Sequence, residues 1–256
     1  MRTSSLHYNV AGAGDAPPLL LSPSLGSSTA MWDPNVSALS DRMRVISLDH
    51  RGEGRSPSPP GPYDIDDLGA DVLALLDRLD IERASFCGLS LGGMVGMWLG
   101  ANAPERIDRL VVMCTSAHFE DPTGWAERAR TVLEAGTVEV VADAVVERWL
   151  TPPYAAEHPS LRDELRAMVA SQPVEGYAAC CGAIERLDLR DDLPRVSVPT
   201  LVIGGQDDPA TPPEHQELIA SLIPGARLEL LPGAAHMANI EQAEVVNALI
   251  LEHVDP

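Results

Sequence analysis

The sequence predicts an α/β fold: a mostly parallel sheet flanked by helices, with an inserted helical cap. Three observations lead there. Short apolar runs bounded by turn residues recur at 19–21, 45–48, 84–87, 110–114, 200–203 and 228–231, and such continuous runs suit strands covered on both faces. Helical patterns lie between them, which implies parallel strands joined by crossovers. The alternation then stops near His118 and resumes near Val198, leaving a stretch with helical patterns alone.

Each element follows from its residues. The segment 6–10 is a weaker apolar run and is expected at a sheet edge. Ile65, Leu68, Val72, Leu75, Leu76 and Leu79 recur at three- and four-residue spacing, the signature of one buried helix face, with Asp64 ahead of them as N-cap. Val246, Leu249, Ile250 and His253 repeat that spacing at the C-terminal end. Within the interruption, 125–133, 138–150, 160–170 and 175–187 read as helices, broken by Pro122, Gly136, Pro152-Pro153, Pro159 and Pro173. A cap placed there would sit above the C-terminal ends of the strands, where open α/β sheets bind ligands. The expected division is a core of residues 1–117 and 187–256 and a cap of residues 118–186. No internal repeat or low-complexity tract is evident.

Composition narrows the function classes. With 256 residues, 45% hydrophobic and 22% charged, the chain suits one α/β domain that carries an insertion and buries a sizeable core. Its 18 Lys and Arg against 38 Asp and Glu give a net charge of -20, which argues against nucleic acid or an anionic membrane as partner. The N-terminus shows no basic segment followed by a long apolar core, and no apolar run reaches the roughly 20 residues of a membrane span, so the expected compartment is the cytoplasm. Cys87, Cys114, Cys180 and Cys181 are too few and too irregular for a disulfide framework or a zinc cluster, and read as reduced core thiols. Oligomeric state leaves no mark on the sequence.

The chemistry centres on Gly88-Leu89-Ser90-Leu91-Gly92, which follows a strand run and precedes a helix-forming one. A strand turning this sharply into a helix forces the serine into a strained, positive-φ conformation, tolerated only where the residues two positions away lack bulk. The turn lifts the Ser90 hydroxyl clear of the sheet and sets the Leu91 N–H at a helix N-terminus, where it can face a developing oxyanion. A serine hydroxyl also needs a positioned base, and the base works best when a carboxylate fixes its tautomer. Downstream, the strand run ending in Gly204-Gly205-Gln206-Asp207-Asp208 supplies acids, and the run at 228–231 leads through Pro232-Gly233-Ala234-Ala235 to His236. Counting from the glycine turn favours Asp208 as the acid, with Asp207 capping the turn. A second oxyanion donor is expected in the loop Ser22-Pro23-Ser24-Leu25-Gly26-Ser27-Ser28, by register at Leu25. The other histidines, His7, His50, His118, His158, His215 and His253, have no such context, although His118 opens the cap.

The order serine, acid, histidine is that of α/β-hydrolases. Asp49-His50-Arg51-Gly52-Glu53-Gly54-Arg55-Ser56 resembles a segment common in that superfamily, usually with His where Glu53 stands; the segment is generally structural, so Glu53 is expected to leave catalysis undisturbed. Related hydrolases often have His-Gly where Pro23-Ser24 stand here, and since the group required is a backbone N–H, the replacement spares the hole. More specifically, the chain resembles the 3-oxoadipate enol-lactonases over nearly its whole length. The resemblance rests on Ser24-Leu25-Gly26 with Met31-Trp32-Asp33-Pro34, on Phe86 through Met94, on Glu147-Arg148-Trp149-Leu150-Thr151-Pro152, on Glu175-Gly176-Tyr177-Ala178-Ala179-Cys180-Cys181 and on Asp208-Pro209-Ala210-Thr211-Pro212-Pro213. The two cap segments are the selective ones.

That resemblance implies an α/β-hydrolase fold and hydrolysis of a small-molecule lactone, the enol-lactone, to 3-oxoadipate in the β-ketoadipate route, with no metal or organic cofactor. The substrate carries a carboxylate and the protein is acidic, so binding needs a local cation; Arg148 is the first candidate, beside Trp149 as a pocket wall, and Arg51 is the weaker one. A simple carboxylesterase, a carbon-carbon bond hydrolase or a cofactor-free haloperoxidase or perhydrolase would use the same three residues. Epoxide hydrolase and haloalkane dehalogenase chemistry is disfavoured because the elbow holds Ser90 rather than Asp. A ligand receptor on a hydrolase scaffold is the alternative from another class.

Overall fold

The computed structural model of this chain describes residues 5–255. Among them seven strands form one sheet: β1 (Tyr8–Ala11), β2 (Pro18–Ser22), β3 (Arg44–Leu48), β4 (Ala84–Leu89), β5 (Ile107–Met113), β6 (Thr200–Gly205) and β7 (Arg227–Leu231). Their spatial order is β1-β3-β2-β4-β5-β6-β7. Only β1 runs antiparallel, pairing Tyr8 with Leu48; β2 to β7 are parallel, with Leu20 opposite Phe86 and Val111 opposite Leu201. The central strands are apolar because both faces are covered: all six residues of β4 and of β6 are buried. The weak segment expected at 6–10 does lie at an edge, but pairs as Tyr8–Ala11, Leu6 turning inward ahead of it.

Eleven α-helices accompany the sheet among the described residues. Three lie before the interruption: α1 (Asp33–Ser40), α2 (Ile65–Arg78) and α3 (Leu91–Asn102). α2 buries Leu68, Val72, Leu75 and Leu76 on one face, and the Asp64 N–H at its start donates to the Asp67 carboxylate at 3.2 Å, half of a capping box. α3 has no polar face because it runs through the middle of the molecule, between β4, β5 and α2. After β6 come α9 (Pro213–Leu222), α10 (Ala238–Glu241) and α11 (Ala243–Val254), preceded in the chain by the five helices of the insertion.

Those five are α4 (Thr123–Ala135), α5 (Glu139–Trp149), α6 (Pro152–Glu157), α7 (Pro159–Ala170) and α8 (Val174–Glu185), all between β5 and β6. α4 packs on α8 and α5 on α7. Where the sequence reading took Pro152-Pro153 only as a break, the structure starts α6 there, because proline is compatible with the first helical turn, whose N–H groups lack partners anyway. The neck of the insertion is stitched by a bridge between His118 and Asp188 and by the Leu189 N–H donating to the Ala117 carbonyl at 2.9 Å. No helix among the described residues is long and apolar enough to cross a membrane.

Candidate active site

Ser90 occupies the turn from β4 into α3 with φ 56° and ψ -114°. A residue with a Cβ holds that conformation only when its surroundings over-determine it. Here the Ser90 N–H donates to the Met113 carbonyl at 2.9 Å, and the Thr115 hydroxyl donates to the Ser90 carbonyl at 2.7 Å. Glycine is required on both sides by close approach: a Cβ at Gly88 would overlap the Gly92 carbonyl, and one at Gly92 would overlap the Ser22 carbonyl. The start of α3 and the end of β2 therefore close on each other, joined by the Gly92 N–H donating to the Pro23 carbonyl at 3.0 Å. Leu91 begins α3, so its N–H belongs to the first turn, where no intrahelical acceptor exists.

Asp208 and His236 meet from loops 28 residues apart: His236 Nδ1 lies 2.8 Å from Asp208 Oδ2. The Thr211 hydroxyl donates to the same oxygen at 2.8 Å, while the Ala210 and Thr211 N–H groups donate to Oδ1 at 2.8 and 3.1 Å. Burial alone would raise the Asp208 pKa, but the neighbouring imidazole and these donors outweigh it and hold the carboxyl below its ordinary value. Asp207 is exposed, its N–H donating to the Ala234 carbonyl. With Nδ1 committed to Asp208, Nε2 is the ring nitrogen left for a substrate-side proton.

A cavity of about 190 Å³ brings the separate pieces together. Ser24, Leu25, Ser90 and His236 line its floor, and Trp125, Arg128, Val145, Arg148 and Trp149 of α4 and α5 line the cap side. Both cap residues singled out from the sequence, Arg148 and Trp149, thus face the same space as Ser90. Arg51 does not: Nε and Nη2 of that buried residue donate to the Asp71 carboxylate at 2.5 and 2.7 Å, and Nη1 lies 3.6 Å from Asp67 Oδ1. Arg128 escaped the sequence reading, since one arginine on a helix carries no signal. Its guanidinium lies 4.6 Å from the centre of the Trp125 ring, and its positive charge, after burial, holds the Arg148 pKa down. Neither Arg128 nor Arg148 forms an ion pair among the described residues, and no acidic side chain lines the cavity with them.

Glu241 was also missed. Its carboxylate accepts from the Ala235 N–H, next to His236, at 2.5 Å, and from the Thr151 N–H and hydroxyl at 2.7 and 2.8 Å. The Met237 N–H donates to the Trp149 carbonyl at 2.8 Å. The histidine loop and the turn from α5 into α6 of the cap are therefore one hydrogen-bonded unit. The only sequence signal was the Glu five residues after the histidine at the start of a helical run.

A mostly parallel sheet with a strained serine elbow, an acid-histidine pair on the loops after β6 and β7 and a helical cap defines the class. The chain belongs to the alpha/beta hydrolase fold family, whose profile matches residues 17–146 and 160–243. It is similar to 3-oxoadipate enol-lactonase 2 of Acinetobacter baylyi, 40% identical over 243 residues that make up 95% of this chain and 90% of that protein. It is equally similar to the crystal structure of the enol-lactonase from Burkholderia xenovorans LB400, at 40% identity and a TM-score of 0.96, covering 99% of this chain and 97% of the other. A hydrolase from Pseudomonas aeruginosa PA01 matches at 42% identity and a TM-score of 0.94, with 99% and 95% covered. The likeness to the enol-lactonases carried by the core and cap segments thus extends over nearly the whole chain.

Proposed function

We propose that this chain is a serine hydrolase that opens the lactone ring of 3-oxoadipate enol-lactone to give 3-oxoadipate, a carboxylic ester hydrolysis in the β-ketoadipate route of aromatic compound degradation. Ser90 attacks the ring carbonyl as His236 Nε2 takes its proton, with Asp208 holding the imidazole from the opposite side. The N–H groups of Leu25 and Leu91 receive the oxyanion. Collapse of the tetrahedral intermediate breaks the ring C–O bond; the enol oxygen leaves, regains a proton from His236, and tautomerises to the ketone, which draws the reaction forward. Water activated by His236 then releases the acyl-enzyme. This chemistry calls for no metal or organic cofactor.

The observation that carries the reading is one cavity, lined by no acidic side chain, in which Ser90 and an Asp208-bonded His236 face two arginines outside any ion pair. In a chain of net charge -20, a pair of cations beside a nucleophile is the feature that an anionic ester would recognise. Arg148 and Arg128 bind the substrate carboxylate and Trp149 packs against the ring. The division into a core of 1–117 and 187–256 and a cap of 118–186 belongs to the same proposal, its outermost residues 1–4 and 256 lying outside the described ones. Action in the cytoplasm is supported by four free, buried thiols.

The test follows the ultraviolet absorbance of the enol-lactone. Wild type consumes it, Ser90→Ala and His236→Ala fall to the uncatalysed rate, and Arg148→Ala shows a raised KM. A rate on the enol-lactone no better than that on p-nitrophenyl acetate would point instead to a general esterase.

A further inference from the structure

The loop from Asp49 to Ser56 does more than cap the sheet, because it holds the oxyanion loop at three points. His50 Nε2 lies 3.2 Å from the Pro23 carbonyl, Asp49 Oδ1 accepts from the Thr29 N–H at 2.7 Å, and Glu53 Oε1 accepts from the Gly26 N–H at 2.6 Å. The third anchor is the one nearest Leu25. Gly26 itself is at φ +79°, pressed on its other side against the Tyr177 ring of α8, where an added Cβ would come to 3.2 Å. The Leu25-Gly26 peptide is therefore clamped between a core carboxyl and a cap ring.

We propose that Glu53 is a positioning residue of the oxyanion hole, fixing the Leu25-Gly26 peptide so that the Leu25 N–H stays aimed at the reacting carbonyl. This replaces the expectation that Glu53 leaves catalysis undisturbed, and it rests on the reading of Ser90 as nucleophile and Leu25 as oxyanion donor. Glu53 is wholly buried, and Oε2 has no hydrogen-bond partner among the described residues. Burial, reinforced by the nearby Asp49 charge and opposed by the Gly26 N–H, pushes its pKa up to about 8. At neutral pH the side chain is thus mainly the uncharged acid, whose carbonyl oxygen accepts from the Gly26 N–H. Ionised, it would set a negative charge one peptide behind the place where the oxyanion forms, which opposes the transition state.

The groups that face it leave this titration distinct. Asp49 lies on its own loop, and Tyr177, Cys180 and Cys181 face it from α8. Burial pushes Cys181 up to about 12 and raises Tyr177 and Cys180 as well, so none of the three ionises near pH 8. Arg51 faces Cys180, and Arg128 faces Tyr177 and Cys181; both remain cationic throughout.

The experiment measures the rate at which a fluorophosphonate labels Ser90 between pH 6 and pH 9.5 in the full chain, comparing wild type with Glu53→Gln and Glu53→Ala, each checked by circular dichroism. The wild-type rate is expected to fall as pH rises through about 8. Glu53→Gln, neutral at every pH, keeps the neutral-pH rate and loses the fall. Glu53→Ala, with the clamp gone, labels about tenfold more slowly and shows a lowered kcat on p-nitrophenyl acetate with KM little changed, less than the loss of a whole oxyanion donor. If Glu53→Ala does not fold, Glu53→Gln decides alone: an alkaline fall identical to wild type overturns the proposal. A folded Glu53→Ala that labels like wild type also overturns it. Labelling that survives in Ser90→Ala would overturn the reading of Ser90, and this proposal with it.

Discussion

Asp208 accepts four hydrogen bonds, two at each oxygen, and that count determines what its loss should do. Asparagine would turn an N–H toward one of these donors and release the imidazole from its tautomer, so Asp208→Asn should cut kcat by a factor on the order of 10⁴, measured on the enol-lactone. A pH dependence follows with a definite sign. Because the folded pKa lies below the ordinary aspartate value of 3.8, Asp208 stabilises the fold at pH values above it, and this contribution is lost as pH falls through the lower folded value. The Tm difference between wild type and Asp208→Asn should therefore shrink below about pH 4. At the two cap arginines the repulsion between the like charges makes their effects interdependent. Arg148→Ala and Arg128→Ala should each raise KM on the enol-lactone by about tenfold or more, and the double variant by less than the product, because removing one guanidinium relieves the other.

At the scale of elements, the cap seats on the core through a glycine-to-glycine contact. A Cβ at Gly176 of α8 would overlap the Gly52 carbonyl, while Gln172 Oε1 accepts from the Gly54 N–H at 2.8 Å. Gly176→Ala gains about 1 kcal/mol of helix propensity but loses about 1–3 kcal/mol or more to overpacking against backbone. The clash wins, and a Tm lowered by several degrees in thermal melts is the expected outcome. The same loop titrates: the folded pKa of Glu53, about 8, lies above its ordinary 4.5, so the stability it contributes is complete below pH 4.5 and is lost as pH rises to about 8. Glu53→Gln should flatten the fall in Tm over that interval. Much of this level was legible beforehand. The strand runs at 84–87 and 200–203 became β4 and β6 with two further residues each, and the spacing from Ile65 to Leu79 became α2. The short helices α1, α6 and α10 escaped, because four to eight residues make too few turns for a periodic signal, and two prolines look the same at a helix start as at a break.

At the scale of the whole molecule, local signals and long-range contacts divide what could be read. Ser90 stood out because its strain must be relieved by glycines two residues away, within one pentapeptide. Asp208 and His236 were found by strand ends and chain order rather than by any sign of their contact. Glu241 reaching back to Thr151, Arg128 facing Arg148 and Glu53 holding Gly26 join residues separated by 90, 20 and 27 positions, and nothing in the local pattern of either partner announces the other. The net charge of -20 was visible at once, but not that two cations outside any ion pair, Arg128 and Arg148, line the cavity with Ser90. The central claim concerns a covalent step, and lactone chemistry gives it a mass signature: the leaving oxygen stays tethered, so the acyl-enzyme retains the whole substrate. Acid quenching during the first turnovers, followed by digestion and mass spectrometry, should find the Ser90 peptide heavier by one intact enol-lactone in wild type and unmodified in Ser90→Ala. Turnover that continues in Ser90→Ala, or an adduct on any other residue, would contradict the account.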